Sequence, residues 1–139
     1  MGFLVKLDTN GNNPDMLESL FSERLVDSVA MDVKHAPWKY SDLVGGPEGE
    51  TRYDESIRMI MEVSPDYEFR TTIVKGVHSE WDLHAIGERV RGAKRFTLQN
   101  YRGAITLDPA FTGSPFPSSE LWEYKRIMEQ YVGECVVRE

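Results

Sequence analysis

Short apolar runs alternate along the chain with segments whose apolar residues recur three and four positions apart. These are the signatures of buried strands and of helices with one inward face. Phe3-Leu4-Val5-Lys6-Leu7 reads as the first strand. Asn13-Pro14-Asp15 then opens a helix, because Asn caps, Pro fits the first turn, and Asp15 and Glu18 suit the positive end of the dipole. Its apolar face is Met16, Leu17, Leu20 and Phe21. Val26 to Val33 is a second strand, with Asp27 at its start and Asp32 at its end. Residues 35 to 50 are rich in Gly, Pro and polar side chains and read as a long functional loop or lid. Thr51-Arg52-Tyr53-Asp54 has the form of a capping box, and Tyr53, Ile57, Ile60 and Met61 continue at helical spacing. Tyr67 to Val74 is a third strand. Ser79-Glu80-Trp81-Asp82 is a second capping box, starting a helix with Leu83, Ile86 and Val90 inward. Arg95 to Gln99 is a fourth strand, and Asn100 to Pro117 a second long loop. Ser118 or Ser119 caps a last helix carrying Leu121, Trp122, Tyr124, Ile127 and Met128, and Cys135-Val136-Val137 suits a short final strand.

Strand and helix signals in this alternation imply a mostly parallel sheet with right-handed crossovers. The expected fold class is α/β: a partial (βα) barrel, an open half-barrel of about four to five mostly parallel strands with flanking helices. The 139 residues fit one domain. So few strands do not close a barrel, and a first strand starting at residue 3 leaves one sheet edge bare. Natural proteins usually cover such edges. The chain is therefore expected to be a portion of a longer protein, with an apolar flank and self-association through the exposed edge of the half-barrel.

The formal charge of −7 argues against a nucleic-acid partner, which needs clustered Lys and Arg. Arg89, Arg91, Lys94 and Arg95 form a short basic group, read as a solvated helix end and turn. No run approaches the roughly 18 apolar residues of a spanning helix, so no membrane partner is expected. A single cysteine, Cys135, excludes an internal disulfide and points to a reducing, cytoplasmic setting.

Candidate chemistry collects at strand ends, which form the mouth of a parallel sheet or barrel. Asp8 and Thr9 follow the first strand; Asp32 and Lys34 follow the second. Period-two alternation sends Asp32 and Lys34 to one side, so on neighbouring strands Asp8, Asp32 and Lys34 converge. Such a group could hold a cation, or a zwitterion with its ammonium on Asp and its carboxylate on Lys. Equally, Asp8 could cap the Asn10-Gly11 turn and Asp32 could pair with Lys34 structurally. Arg70 lies within the third strand and either reaches the mouth or points to solvent from an edge. Gln99-Asn100-Tyr101-Arg102 ends the fourth strand with neutral donors and acceptors, an aromatic plate and a guanidinium, a set that suits a nucleoside. Turn chemistry for Asn100 and packing for Tyr101 are the alternative. His35, His78 and His84 show no metal-ligand spacing.

The order Leu7-Asp8-Thr9-Asn10-Gly11, Asp32-Val33-Lys34, Arg70 before Thr-Ile-Val-Lys-Gly, then Leu98-Gln99-Asn100-Tyr101 resembles the C-terminal half of the radical S-adenosylmethionine activating enzymes. That family includes the activating enzymes of pyruvate formate-lyase and of anaerobic ribonucleoside-triphosphate reductase. The resemblance implies a partial (βα) barrel, a [4Fe–4S] cluster, S-adenosylmethionine, and a glycyl radical enzyme as partner. It implies that Asp32 and Lys34 contact the methionine part and that Asp8 and Thr9 help hold a cation near its carboxylate. Arg70, Gln99, Asn100 and Tyr101 would line the cofactor. The family's CxxxCxxC cluster loop is absent, and one thiol cannot ligate a cubane. The resemblance thus makes residues 1–139 one domain, the C-terminal portion of a radical S-adenosylmethionine barrel, inactive alone. The alternative is a noncatalytic α/β interaction domain that kept the fold without the chemistry.

Overall fold

The computed structural model describes residues 5–9, 11, 13–33, 47–76, 78–102 and 114–139. Along the chain run β1 (Lys6–Thr9), α1 (Pro14–Ser22), β2 (Ser28–Asp32), α2 (Pro47–Val63), β3 (Asp66–Ile73), α3 (Glu80–Arg89), β4 (Arg95–Asn100), α4 (Ser118–Met128) and β5 (Glu134–Arg138). The strands form one sheet in the order β1-β2-β3-β4-β5, and every pairing is parallel. Spatial order equals chain order. Each crossover therefore steps the same way, and right-handed crossovers then lay the helices on one face of the sheet. That is how a barrel wall is wound, and it agrees with the expected half-barrel.

Register and period-two alternation separate the two faces. Val29, Met31, Tyr67, Phe69, Phe96 and Leu98 face the helices and form the buried core with Leu17, Ile57, Ile60, Leu83, Ile86 and Leu121. The other face carries Lys6 and Asp8 on β1, Ser28 and Asp32 on β2, and Asp66, Glu68, Arg70 and Thr72 on β3. It continues through Arg95, Thr97 and Gln99 on β4 to Glu134 and Arg138 on β5. That face of the sheet is thus largely charged and polar. Strands that look uniformly apolar in sequence owe this to a core side so greasy that the charges between are easily passed over.

Local signals fix the helices. The Asn13 side-chain oxygen accepts from the Met16 N–H at 3.0 Å, capping α1. The carboxylate of Asp82 accepts from the N–H of Ser79 at 2.9 Å, the expected capping box of α3. The second helix differs from its expectation. It begins at Pro47, a turn ahead of Thr51, because Pro is preorganised for a first helical turn. The last helix is entered through Pro117, with Ser118 already helical. Arg89 also departs from its reading as a solvated helix end. Its side chain is 5% exposed, and its Nε donates to Asp54 at 2.7 Å, locking α3 to α2. Trp122, among the apolar residues of the last helix, is 53% exposed under the Lys125 ammonium.

Tyr131 packs its ring directly on Gly87 of α3, where a Cβ would lie 2.3 Å from a ring carbon. The tyrosine hydroxyl is 2.6 Å from Nδ1 of His84, and the Arg91 guanidinium covers the ring at 4.9 Å. Gly87→Ala must displace this clamped ring. It is expected to cost about 1–3 kcal/mol, the usual range for overpacking. Urea unfolding measures this, and an unchanged midpoint would refute the clamp.

Candidate functional site

The C-terminal ends of β1, β2 and β3 bring Asp8, Asp32 and Arg70 together on the charged face. Arg70 sits opposite Asp32 in the parallel register. Its Nε donates to Asp32 Oδ1 at 2.7 Å, and its Nη2 lies 3.7 Å from Asp8 Oδ1. The side chains are 21% exposed for Arg70, 46% for Asp32 and 66% for Asp8, so the cluster opens towards solvent through its carboxylates. Burial opposes the charge on Arg70. The hydrogen bond and charge of Asp32, then Asp8 and Glu68, outweigh it and raise the pKa of the guanidinium above its ordinary value. Of the two readings of Arg70, the mouth is the one the geometry selects; β3 is the central strand, not an edge.

Beneath this cluster the same face continues in tiers. Glu68, two residues before Arg70, has a side chain only 6% exposed. It accepts from Thr97 Oγ1 at 3.1 Å and lies 3.6 Å from the Lys6 ammonium. At the strand starts Asp66 accepts from Ser28 Oγ at 3.3 Å and pairs with Arg95 at 3.6 Å. Glu68 escaped the reading of the sequence. Its signal was there: spacing by two from Arg70 puts both on one face.

The remaining candidates divide. Gln99 is half-buried on the charged face, opposite Thr72 and one step nearer the mouth than Arg70. Thr9 and Asn100 do not join the cluster. Thr9 pairs in register with the fully buried Met31, and its hydroxyl accepts from the N–H of Gly11 at 3.0 Å. It shapes a turn in which Gly11 takes a φ of 75° and its carbonyl accepts from buried Ser56 at 2.9 Å. Asn100 is buried on the helix side. Its side-chain nitrogen donates to the Phe116 carbonyl at 3.0 Å, and its oxygen accepts from the Phe116 N–H at 2.9 Å. Both halves of the amide are thereby spent on backbone. Tyr101 is half-buried just beyond β4, its N–H donating to the Ile73 carbonyl at 3.0 Å. Arg102 donates to the Glu139 carbonyl at 3.0 Å. Lys34 and His35 lie outside the described residues.

Among the described residues no group of three or more His, Cys, Asp and Glu is placed to hold a metal ion. None of the described helices is long and apolar enough to cross a membrane. The thiol of Cys135 is buried, which pushes its pKa up to about 12 and keeps it protonated.

A singly wound parallel sheet with helices on one face and charge on the other, clustered at the C-terminal rim, defines a partial (βα) barrel with a polar mouth. No family model matches the chain. A protein of Methanocaldococcus jannaschii with the provisional name of glycyl-radical enzyme activating enzyme is 32% identical over 99% of this chain. The chain spans 59% of the length of that relative. The crystal structure of a domain of pyruvate-formate lyase-activating enzyme from Bacteroides vulgatus superposes with a TM-score of 0.75. That match covers 99% of this chain and 83% of the domain at 15% identity, and it speaks for the fold. In sequence the chain is thus similar to a protein provisionally named as a glycyl-radical enzyme activating enzyme, and in fold to a domain of pyruvate-formate lyase-activating enzyme.

The pair of hydrogen bonds at Asn100 gives a direct test. Asn100→Ala strands two buried backbone groups of Phe116 and is expected to cost about 2 kcal/mol in urea unfolding. A loss below a few tenths of a kcal/mol would mean that water replaces the amide readily.

Proposed function

We propose that residues 1–139 form one domain, the C-terminal portion of a radical S-adenosylmethionine activating enzyme, and that its charged mouth is part of the wall that holds S-adenosylmethionine. The domain supplies cofactor-binding and partner-binding surface and is inactive alone. The partner is a glycyl radical enzyme, by analogy with the name of the archaeal relative. The observation that carries this reading is the Arg70 guanidinium, 2.7 Å from Asp32 and 3.7 Å from Asp8 at three adjacent strand ends.

The donor set suits the cofactor. The methionine end of S-adenosylmethionine carries an ammonium and a carboxylate, and the cluster offers charges of both signs with its carboxylates open to solvent. Asp8 and Asp32 would take the ammonium, and Arg70 would fork onto the carboxylate with help from Lys34. Gln99 offers neutral hydrogen bonds beside them, and Tyr101 an aromatic plate for the adenine. Thr9 and Asn100 act behind the mouth, by fixing the strand ends from which Asp8 and Gln99 project. When bound, S-adenosylmethionine supplies the radical chemistry, and the protein orients it and excludes water.

The donor set does not suit the cluster. The chain has one cysteine, and its thiol is buried on the helix side of β5 with a raised pKa. A cubane needs thiolates for most of its irons. Anaerobic reconstitution of this chain with iron and sulfide is therefore expected to give no stoichiometric cubane absorption. A stable cluster with S-adenosylmethionine cleavage would overturn the claim that the chain is inactive alone.

The mouth is tested in the longer protein. Arg70→Ala and Lys34→Ala are each expected to weaken S-adenosylmethionine binding at least about tenfold, the loss of a charge-assisted contact. Lys125→Ala on α4 is expected to leave it unchanged. Isothermal titration reads all three, and equal effects at Arg70 and Lys125 would sink the assignment.

A further inference from the structure

Helices α1 and α2 pack side by side on the outer layer, and the cleft between their solvent-facing sides is a groove of about 520 Å³. Its floor is apolar: Phe21 from α1, and Met59 and Val63 from α2. Val63 is 52% exposed, although it closes a helix with a full core face of its own. Three carboxylates stand around this floor, Glu18, Glu55 and Glu62. Among the described residues that line it, Arg58 is the one cation.

The rim is not neutralised from within. Among the described residues none of these four charged groups makes an ion pair or side-chain hydrogen bond. The other aromatic hollow of the outer layer, around Trp81 and Tyr131, behaves differently. There Glu88 holds Arg91 at 2.6 Å and Glu80 approaches His84 at 3.8 Å, so its carboxylates already have partners. In that hollow the carboxylates gather cations; at the α1–α2 groove they face solvent around apolar side chains.

We propose that the α1–α2 groove docks a basic amphipathic segment of another protein, seating bulky apolar side chains against Phe21, Met59 and Val63 while Lys or Arg side chains meet Glu18, Glu55 and Glu62. The form of recognition is an apolar strip in a groove with charge complementarity at the rim. The groove lies on the helix layer, across the sheet from Asp8, Asp32 and Arg70, so its occupant leaves the charged mouth untouched. The inference is independent of the reading of the mouth.

The probe is a labelled synthetic helix with Leu on one face and Lys on the other, followed by fluorescence anisotropy against the 139-residue chain. Saturable binding is expected. Glu55→Lys with Glu62→Lys is expected to weaken it about tenfold, as attraction becomes repulsion at two exposed sites. Glu123→Lys with Glu129→Lys, an equal change of net charge on α4 and at its C-terminal cap, is expected to leave it within about twofold. Val63→Asp is expected to weaken it without changing the circular dichroism spectrum. Equal losses from the two charge reversals would overturn the proposal, because net charge alone would then explain binding. So would a helix with Leu replaced by Ser binding as well as the original. Sedimentation showing a dimer that Glu55→Lys with Glu62→Lys dissociates would overturn it in favour of a second copy of this chain.

Discussion

A charge on a sheet face has to be paired or wetted, and the whole inner side of this sheet is organised by that requirement. Desolvating an ion without compensation costs several kcal/mol. The chain meets the demand in tiers: Arg95 with Asp66 at the strand starts, Lys6 and Thr97 on Glu68 in the middle, Asp8 and Asp32 on Arg70 at the rim. Each tier draws members from different strands, so it forms only when β1 to β4 stand in their register. The polar face thus specifies strand alignment that the featureless apolar side would leave loose. The upper tier opens to solvent through its carboxylates, and there the same ions are available to a ligand.

The helix layer answers to a different rule. Leu17, Ile60, Leu83, Ile86 and Leu121 fill the space over Met31, Phe69, Phe96 and Leu98 by shape and apolar burial. Polar bonds bracket it: among them Arg89 to Asp54 between helices, Ser56 to the carbonyl of Gly11, and Thr71 to the carbonyl of Val33. The result is a scaffold rigid on one side and chemically varied on the other, a division of labour that suits a barrel wall.

Much of this was legible in the residues. Apolar runs of Val, Ile, Phe and Thr marked β2, β3 and β4, and the cap at Asn13 and the box at Ser79 marked two helix starts. Pro47-Glu48-Gly49-Glu50 reads as loop because Gly and Pro are taken as breakers, yet Pro at a first turn is a helix starter. Arg89 looked solvated because its partner, Asp54, lies on a distant helix that a linear reading does not bring near. Alternation alone could have separated Thr9 from Asp8 and Asn100 from Gln99, since neighbours on a strand point opposite ways. Grouping them by motif overrode that geometry. The convergence of Asp8, Asp32 and Arg70 needed only the assumption that consecutive strands are neighbours, and they are.

The bonds at Asn100 and Lys75 have an evolutionary side. Phe116 is tied to Asn100 at the end of β4, and Ser114 exchanges backbone hydrogen bonds with Lys75, just beyond β3, at 2.8 and 3.0 Å. Both ends of the intervening connection are therefore riveted to the rim of the sheet. Once the ends are held, lengthening or exchanging what runs between them costs closure entropy that grows only with the logarithm of length. Descendants of this fold can rewrite that stretch wholesale, and with it whatever the rim meets, while the strands beneath keep their alignment.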